Sequence, residues 1–274
     1  MLHRLDSSRL VFTARRLAVA MLLTLVVAAC GNKEAPYVER PVEDLYNNAM
    51  NAMAAQEWEA AAKGFDEVER QHPYSVWANK AQLMAAYSYY QKNMYSEAIS
   101  AADRFIQLHP GSKETPYAYY LTAVCYYEQI TDVGRDQKIT QQALGALEEV
   151  VRRYPNSEYA RDARLKIDLT RDHLAGKEMT IGRYYLRNNQ QIAAINRFKT
   201  VIEKFQTTTH VPEALHRLAE AYMSLGILDE AQNVAAVLGY NYPGSEWYVD
   251  TYTLVTGQEV PTASSEKKSW WNIF

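Results

Sequence analysis

The sequence predicts an all-α fold: an α-solenoid of about five stacked helical hairpins closed by a capping helix. Three observations predict it. The first is the stretch from Trp77 to Ser112, where two helical patterns face each other across a break at Lys92-Asn93-Met94. Ala81, Ala85 and Tyr89 recur at helical spacing before the break, and Ala98, Ala102 and Phe105 after it, so each half presents one apolar face. The second is recurrence. An alanine opens each second helix at Ala61, Ala98, Ala143, Ala194 and Ala231, in steps of 37, 45, 51 and 37 residues. Twelve residues after each marker stand Pro73, Pro110, Pro155, Gln206 and Pro243. Proline lacks an N–H and clashes with the preceding turn, so four of the five end their helix there. The third is a small residue twelve positions before the marker, at Ala49, Ala86, Gly182 and Ala219, and at Ala123 if the third hairpin's loop is eight residues longer. Small residues on facing helices let the two backbones approach closely.

Three positions after the small residue come Ala52, Tyr89, Tyr126, Tyr185 and Tyr222. A small residue, an aromatic, an alanine and a proline, in that order, resemble the tetratricopeptide repeat. The commonest step of 37 residues is a little longer than that repeat's usual ~34. Stacking of such units explains how 274 residues need only one extended core.

The chain opens with a targeting segment over residues 1–29. Arg15-Arg16 precede an apolar run from Leu17 to Ala29, shorter than the ~20 residues a membrane-spanning helix needs but suited to a signal peptide. The run ends Val27-Ala28-Ala29-Cys30 and resembles a bacterial lipobox. The resemblance implies cleavage before Cys30, a diacylglyceryl thioether on its sulfur and an acylated amine. No other cofactor is expected. Gly31 in place of aspartate implies sorting to the outer membrane. Residues 30–42 are polar, hold Pro36 and Pro41, and read as an extended tether.

The solenoid is expected over 43–255. Repeat one runs from about Glu43 to Ser75, and repeat two is the stretch described above. Repeat three begins near Thr115-Pro116, and its first helix is rich in tyrosine. Its inter-helix loop holds Gly134-Arg135-Asp136-Gln137. Between Pro155 and the fourth marker lie 14 extra residues, which predict an added helix or a first helix prolonged to about Asn188, with a bend at Gly176 or Gly182. Repeat five runs from Val211 to Ser245, and Glu246 to Val255 forms the cap. Serines of the Pro-x-Ser turns, Ser75, Ser112, Ser157 and Ser245, suit N-cap positions. Residues 256–274 read as a disordered tail with an aromatic end, Trp270-Trp271-Asn272-Ile273-Phe274.

Composition excludes some functions. With the segment 1–29 removed, 25 basic residues face 31 acidic ones, which gives no general electrostatic footprint for nucleic acid. His72 and His109 precede repeat prolines and are repeat positions rather than metal ligands. His173, His210 and His216 have no partner at metal-ligand spacing, and no phosphate loop or G-x-S-x-G is present. The chain is therefore expected to be a scaffold and not an enzyme. Cys125 is expected to be a buried, inert thiol.

Repeat register locates the binding face. With the small residue as position eight, positions two, five, nine and twelve of each first helix face the concave side. Repeats one to three place Tyr46, Met50, Met53, Leu83, Tyr87, Tyr90, Tyr117, Tyr120, Val124 and Tyr127 there. Two arrangements are open: an exposed apolar groove, or tyrosines packed inside a tight superhelix. Repeats four and five place Met179, Arg183, Leu186, Glu213, His216, Glu220 and Met223 at equivalent positions, a mixed and charged set.

The lipobox, the tether, and the segments HPYSVWANKAQLMAAYSYYQKNMYSEAISAADRFIQLHP, TPYAYYLTAVCYYEQI, GRDQ and AAINRFKTVIEKF are together similar to the BamD family, the lipoproteins of the β-barrel assembly machinery. The resemblance covers roughly Cys30 to Val255. It implies an outer-membrane protein, lipid-anchored on the periplasmic face of a Gram-negative cell. It implies partners in BamA, docked through the C-terminal repeats, in the other assembly-complex lipoproteins, and in unfolded outer-membrane β-barrel proteins held by the N-terminal repeats. Arg183, Arg197, His216 and Glu220 are the docking candidates. A tetratricopeptide lipoprotein coordinating peptidoglycan synthesis or envelope constriction is the alternative.

Overall fold

The computed structural model describes residues 38–258, so the lipobox, Cys30 and the aromatic end of the tail lie outside the described residues. The chain divides into a leading unit, residues 1–40, and a body from Pro41 onward. The body is an all-α tetratricopeptide-type solenoid of eleven helices among the described residues. They are α1 (Val42–Ala54), α2 (Trp58–Gln71), α3 (Val76–Gln91), α4 (Tyr95–Leu108), α5 (Thr115–Glu128), α6 (Lys138–Arg153), α7 (Glu158–Arg187), α8 (Gln191–Lys204), α9 (Val211–Ser224), α10 (Leu228–Asn241) and α11 (Glu246–Thr256).

Each helix packs on its neighbours in the chain, and each first helix also packs on the first helix of the next repeat: α1 on α3, α3 on α5, α5 on α7 and α7 on α9. No two second helices pack on each other. The first helices therefore form one continuous inner layer, while the second helices fan apart outside it. The reason is side-chain size. All five marker alanines are fully buried, and so are Ala49, Ala86, Ala123 and Ala219 on the first helices; a Cβ added at Gly64 of α2 would lie 2.9 Å from that of Ala49. A Cβ added at Gly182 would lie 2.5 Å from the Phe198 ring, so glycine there admits the ring of the partner helix. Seven residues after each marker, Val68, Phe105, Val150, Val201 and Leu238 fill the space behind it.

The hairpin turns share one geometry. Gln56, Asn93, Asn189 and Gly226, each five residues before its marker, adopt left-handed backbone with φ between 57° and 73°. Each is followed by an N–H that bonds back five residues, as Met94 N does to Tyr89 O at 2.9 Å, the pattern of a Schellman turn. Repeat three alone lacks this turn. Its loop is instead clamped by Lys177 of α7, whose Nζ donates to Gly134 O at 2.8 Å and Arg135 O at 3.2 Å.

The 14 extra residues of repeat four prolong its first helix into one 30-residue element, α7, about 45 Å long. It runs unbroken through Gly176 and Gly182. Close packing accounts for both glycines: a Cβ at 176 would lie 3.2 Å from His210 Nε2, and one at 182 would meet the Phe198 ring. Ser75, Ser157 and Ser245 cap their helices, with Ser75 Oγ and Ser157 Oγ each accepting from an N–H three residues on at 3.1 Å. Ser112 does not: α5 starts at Thr115, because Pro116 is tolerated only in a first turn.

Candidate binding surface

The inner layer of repeats two and three gathers tyrosines from three helices. α3 brings Tyr87 and Tyr90, α5 brings Tyr117 and Tyr120, and the first turn of α7 brings Tyr159. Tyr159 lies between two of them, 5.5 Å from the Tyr117 ring and 5.3 Å from the Tyr120 ring by centroid. The Tyr117 hydroxyl has Tyr87, Tyr159 and Tyr90 as electrostatic neighbours, and burial, its main perturbation, raises its pKa. Burial also holds Tyr90 and Tyr120 above the usual phenol range, with the Asp162 carboxylate adding to the effect at Tyr120. These hydroxyls consequently stay protonated and remain hydrogen-bond donors.

All five rings are half-buried, so the cluster is neither a closed core nor a free surface. The flanks explain the arrangement. Tyr120 Oη donates to Asp162 at 2.5 Å, and Lys166 lies 3.0 Å from the same carboxylate. Burial would push the Asp162 carboxyl up, but these two partners outweigh it and hold it low. Trp58 meets Tyr87 edge to face at 6.2 Å, and Tyr95 lies at the same distance from Tyr90. The remaining repeat-register residues are dispersed. Tyr46, Met50 and Met53 pack into the core of repeat one, with Tyr46 4.7 Å from Trp77. Leu83 is half-buried on α3, and Val124 is buried at 5% exposure. Tyr127 lies beneath Lys166, 5.3 Å from its Nζ. Trp58, Tyr95 and Tyr159 join the cluster without having been expected there. Two open second helices, and Tyr159 belongs to the inserted part of α7, which repeat register does not count.

The C-terminal repeats carry paired charge. Arg183 of α7 grips Glu213 of α9 through both carboxylate oxygens, at 2.9 and 2.8 Å. Arg217 reaches the same Glu213 at 3.7 Å and donates to Glu220 at 2.8 Å, while its guanidinium lies over Trp247. Arg183 and Glu220 are thus ends of one chain of ion pairs. Arg197 stands apart, on α8, paired with Glu178 of α7 at 3.0 Å. His216 is an internal residue and not part of an exposed docking surface. Its ring stacks 5.2 Å from Trp247, and Nδ1 lies 2.8 Å from the hydroxyl of Thr251 on the capping helix. Cys125 is fully buried in the core beneath α5, where burial pushes its thiol up to about 12.

The chain is similar to known proteins over most of its length. Residues 38–238 match the family model YfiO, described as an outer membrane lipoprotein. A Caulobacter vibrioides protein named outer membrane protein assembly factor BamD is 56% identical over 240 residues, covering 86% of this chain and 79% of that one. Proteins of the same name are 44% identical in Rickettsia prowazekii, covering 87% and 96%, and 32% identical in Neisseria meningitidis serogroup A, covering 84% and 92%. A thermophilic TPR protein of Thermus thermophilus is 19% identical with a TM-score of 0.36, covering 79% of this chain and 98% of that structure.

Proposed function

We propose a function from one premise: the chain belongs to the YfiO family of outer membrane lipoproteins, and within it to the BamD assembly factors. As such it associates with the outer membrane and works as a scaffold of the outer-membrane assembly complex. Its role there is to hold partners in place, without catalysis. Cys30 carries the lipid, and two or more acyl chains fix it stably where one would be marginal. The solenoid then hangs on the periplasmic side of the membrane. Replacing Cys30 with alanine should release the protein from the outer-membrane fraction. Unchanged fractionation after signal cleavage contradicts the anchor.

The tyrosine cluster of repeats two and three receives an extended segment of an unfolded barrel protein. The observation that carries this reading is the meeting of five half-buried tyrosines from α3, α5 and α7 on one inner face. Such rings offer apolar area, and their hydroxyls can bond an adjacent peptide group. A β-strand presents alternate side chains to one face, so a barrel segment ending in an aromatic can seat that ring while its backbone meets the hydroxyls. Each anchor buried this way contributes about 1.5–3 kcal/mol before ordering costs. Repeats four and five dock BamA through the half-buried ends of the ion-pair chain, Arg183 and Glu220, and through Arg197.

Titration of the protein with a labelled barrel peptide, with and without its terminal aromatic, tests the reading. The wild-type protein should prefer the aromatic-ended peptide. Tyr87→Ala with Tyr120→Ala should weaken its binding at least tenfold, about 1.4 kcal/mol, while BamA co-purification persists. Equal binding of the two peptides removes the cluster from client recognition.

A further inference from the structure

The last hairpin and the capping helix leave an apolar cleft at the open end of the solenoid. Its volume is about 360 Å³. Its floor is the small-residue face of α10, Ala235, Ala236 and Gly239, and its wall is Tyr248, Tyr252 and Val255 of α11. Glycine is needed at 239, since a Cβ there would meet the Tyr248 ring at 2.5 Å. One turn beyond Ala236, Tyr240 is 88% exposed, and Val249 beside the wall is 47% exposed. Terminal repeats normally turn a polar face outward, so this end lacks the cover that a capped solenoid has.

We infer that the cover is the chain's own tail, with Trp270 and Trp271 seated in the cleft between α10 and α11. Two observations select this occupant. The first is reach. Thr256 lines the cleft itself, and Gly257, at φ +70°, caps α11 in left-handed backbone, so the tail departs from the cleft's edge. The polar spacer 259–269 can span up to about 36–40 Å when extended, whereas the 14 residues of α10 are only about 21 Å long. The tryptophans can therefore return to any point of the cleft. A tether this short also holds its end at an effective concentration in the millimolar range.

The second observation is charge. From Leu228 to Thr256 the chain carries Asp229, Glu230, Glu246 and Asp250 and no Lys, Arg or His. The tail carries Glu259 and Glu266 in its spacer, but the charges next to the two tryptophans are the basic pair Lys267-Lys268, one residue before them. A dilysine leading an aromatic pair toward an all-acidic helical hairpin is attractive in charge, and small floor residues leave room for indole rings.

Amide hydrogen exchange on the full chain, in detergent, tests this against Trp270→Ala with Trp271→Ala. The wild-type amides of 235–256 should exchange at least fivefold more slowly than those of the variant, with exchange in repeats one to three unchanged. Equal rates overturn the proposal. A second measurement identifies whose tail is bound: Gln232→Cys paired with Ile273→Cys, oxidised mildly at low protein concentration. A disulfide within one chain is expected. A link between two chains, or none, overturns the proposal, because the cleft would then belong to a second copy or stand empty.

Discussion

Repeats one to three and repeats four to five share one hairpin but use it for different chemistry. The N-terminal half divides its core into three separate clusters, each running from one repeat into the first helix of the next. Its inner face is aromatic, and the Tyr120 hydroxyl ties that face to Asp162 of α7. The C-terminal half has one continuous core, from Ala175 through Phe198 and Leu218 to Leu238, and its inner face is a chain of arginine–glutamate pairs. The long helix α7 belongs to both: Ala163 and Ile167 lie in the last N-terminal cluster, and Ala175 and Met179 in the C-terminal core. The difference teaches that a repeat fixes the backbone while leaving the inner face free to vary. Rings suit a client that offers apolar side chains of many sequences. Paired charges suit a folded partner that can exchange ion pairs at defined positions.

The largest expected effect concerns the cores. Phe198→Ala removes a fully buried ring from the continuous core and should cost about 3–5 kcal/mol in denaturant unfolding of the C-terminal repeats. Tyr87→Ala removes a half-buried ring and should cost clearly less. Equal costs would mean that Tyr87 is core, and the contrast between the halves would fail.

Next in size is the charge pair. Arg183→Glu places two carboxylates together where a bidentate bond stood, and should destabilise the protein by about 1.5–3 kcal/mol. Glu213→Arg in the same chain should restore most of the loss. Failure of the reversed pair to rescue stability would show that Arg183 acts through something other than Glu213.

The smallest effect is on the cap. Burial and the neighbouring Arg217 lower the His216 pKa, more than Glu220, Asp250 and Glu213 raise it. A folded state that disfavours the imidazolium holds this contribution above the unfolded pKa of about 6.5 and loses it as pH falls below that value. After correction for intrinsic rates, α11 amides should exchange faster at pH 5.5 than at pH 7.5, and His216→Asn should abolish the difference. A pH response of α3 equal to that of α11 would remove His216 as the cause.

The fold was legible because close packing leaves a strict record. Ala61, Ala98, Ala143, Ala194 and Ala231 could not be larger without separating their helices, and each is fully buried. The helical character of the inserted part of α7 was legible too, since Ala160, Ala163, Ile167, Thr170 and Leu174 continue one face, but that face fits an added helix as well as the single long one observed. The glycines within it have a packing reason that the sequence alone does not show, since they leave room for Phe198 and His210. The left-handed turns leave a fainter signal: Asn93, Asn189 and Gly226, at a fixed distance from the markers, are residue types that favour such backbone, but Gln56 at the same place is not. Site residues were harder to read. Register gives the face a side chain leaves from, but not what covers it. His216 satisfies the register and still lies under Trp247, while Tyr159 violates it and sits in the centre of the tyrosine cluster.

The division of labour between the halves can be tested in cells with a photo-crosslinking amino acid placed at Tyr87 or at Arg197. At Tyr87 the crosslinked products should be unassembled barrel proteins, and at Arg197 the product should be BamA. The same partner captured from both positions, or barrel proteins captured only from Arg197, would contradict the account.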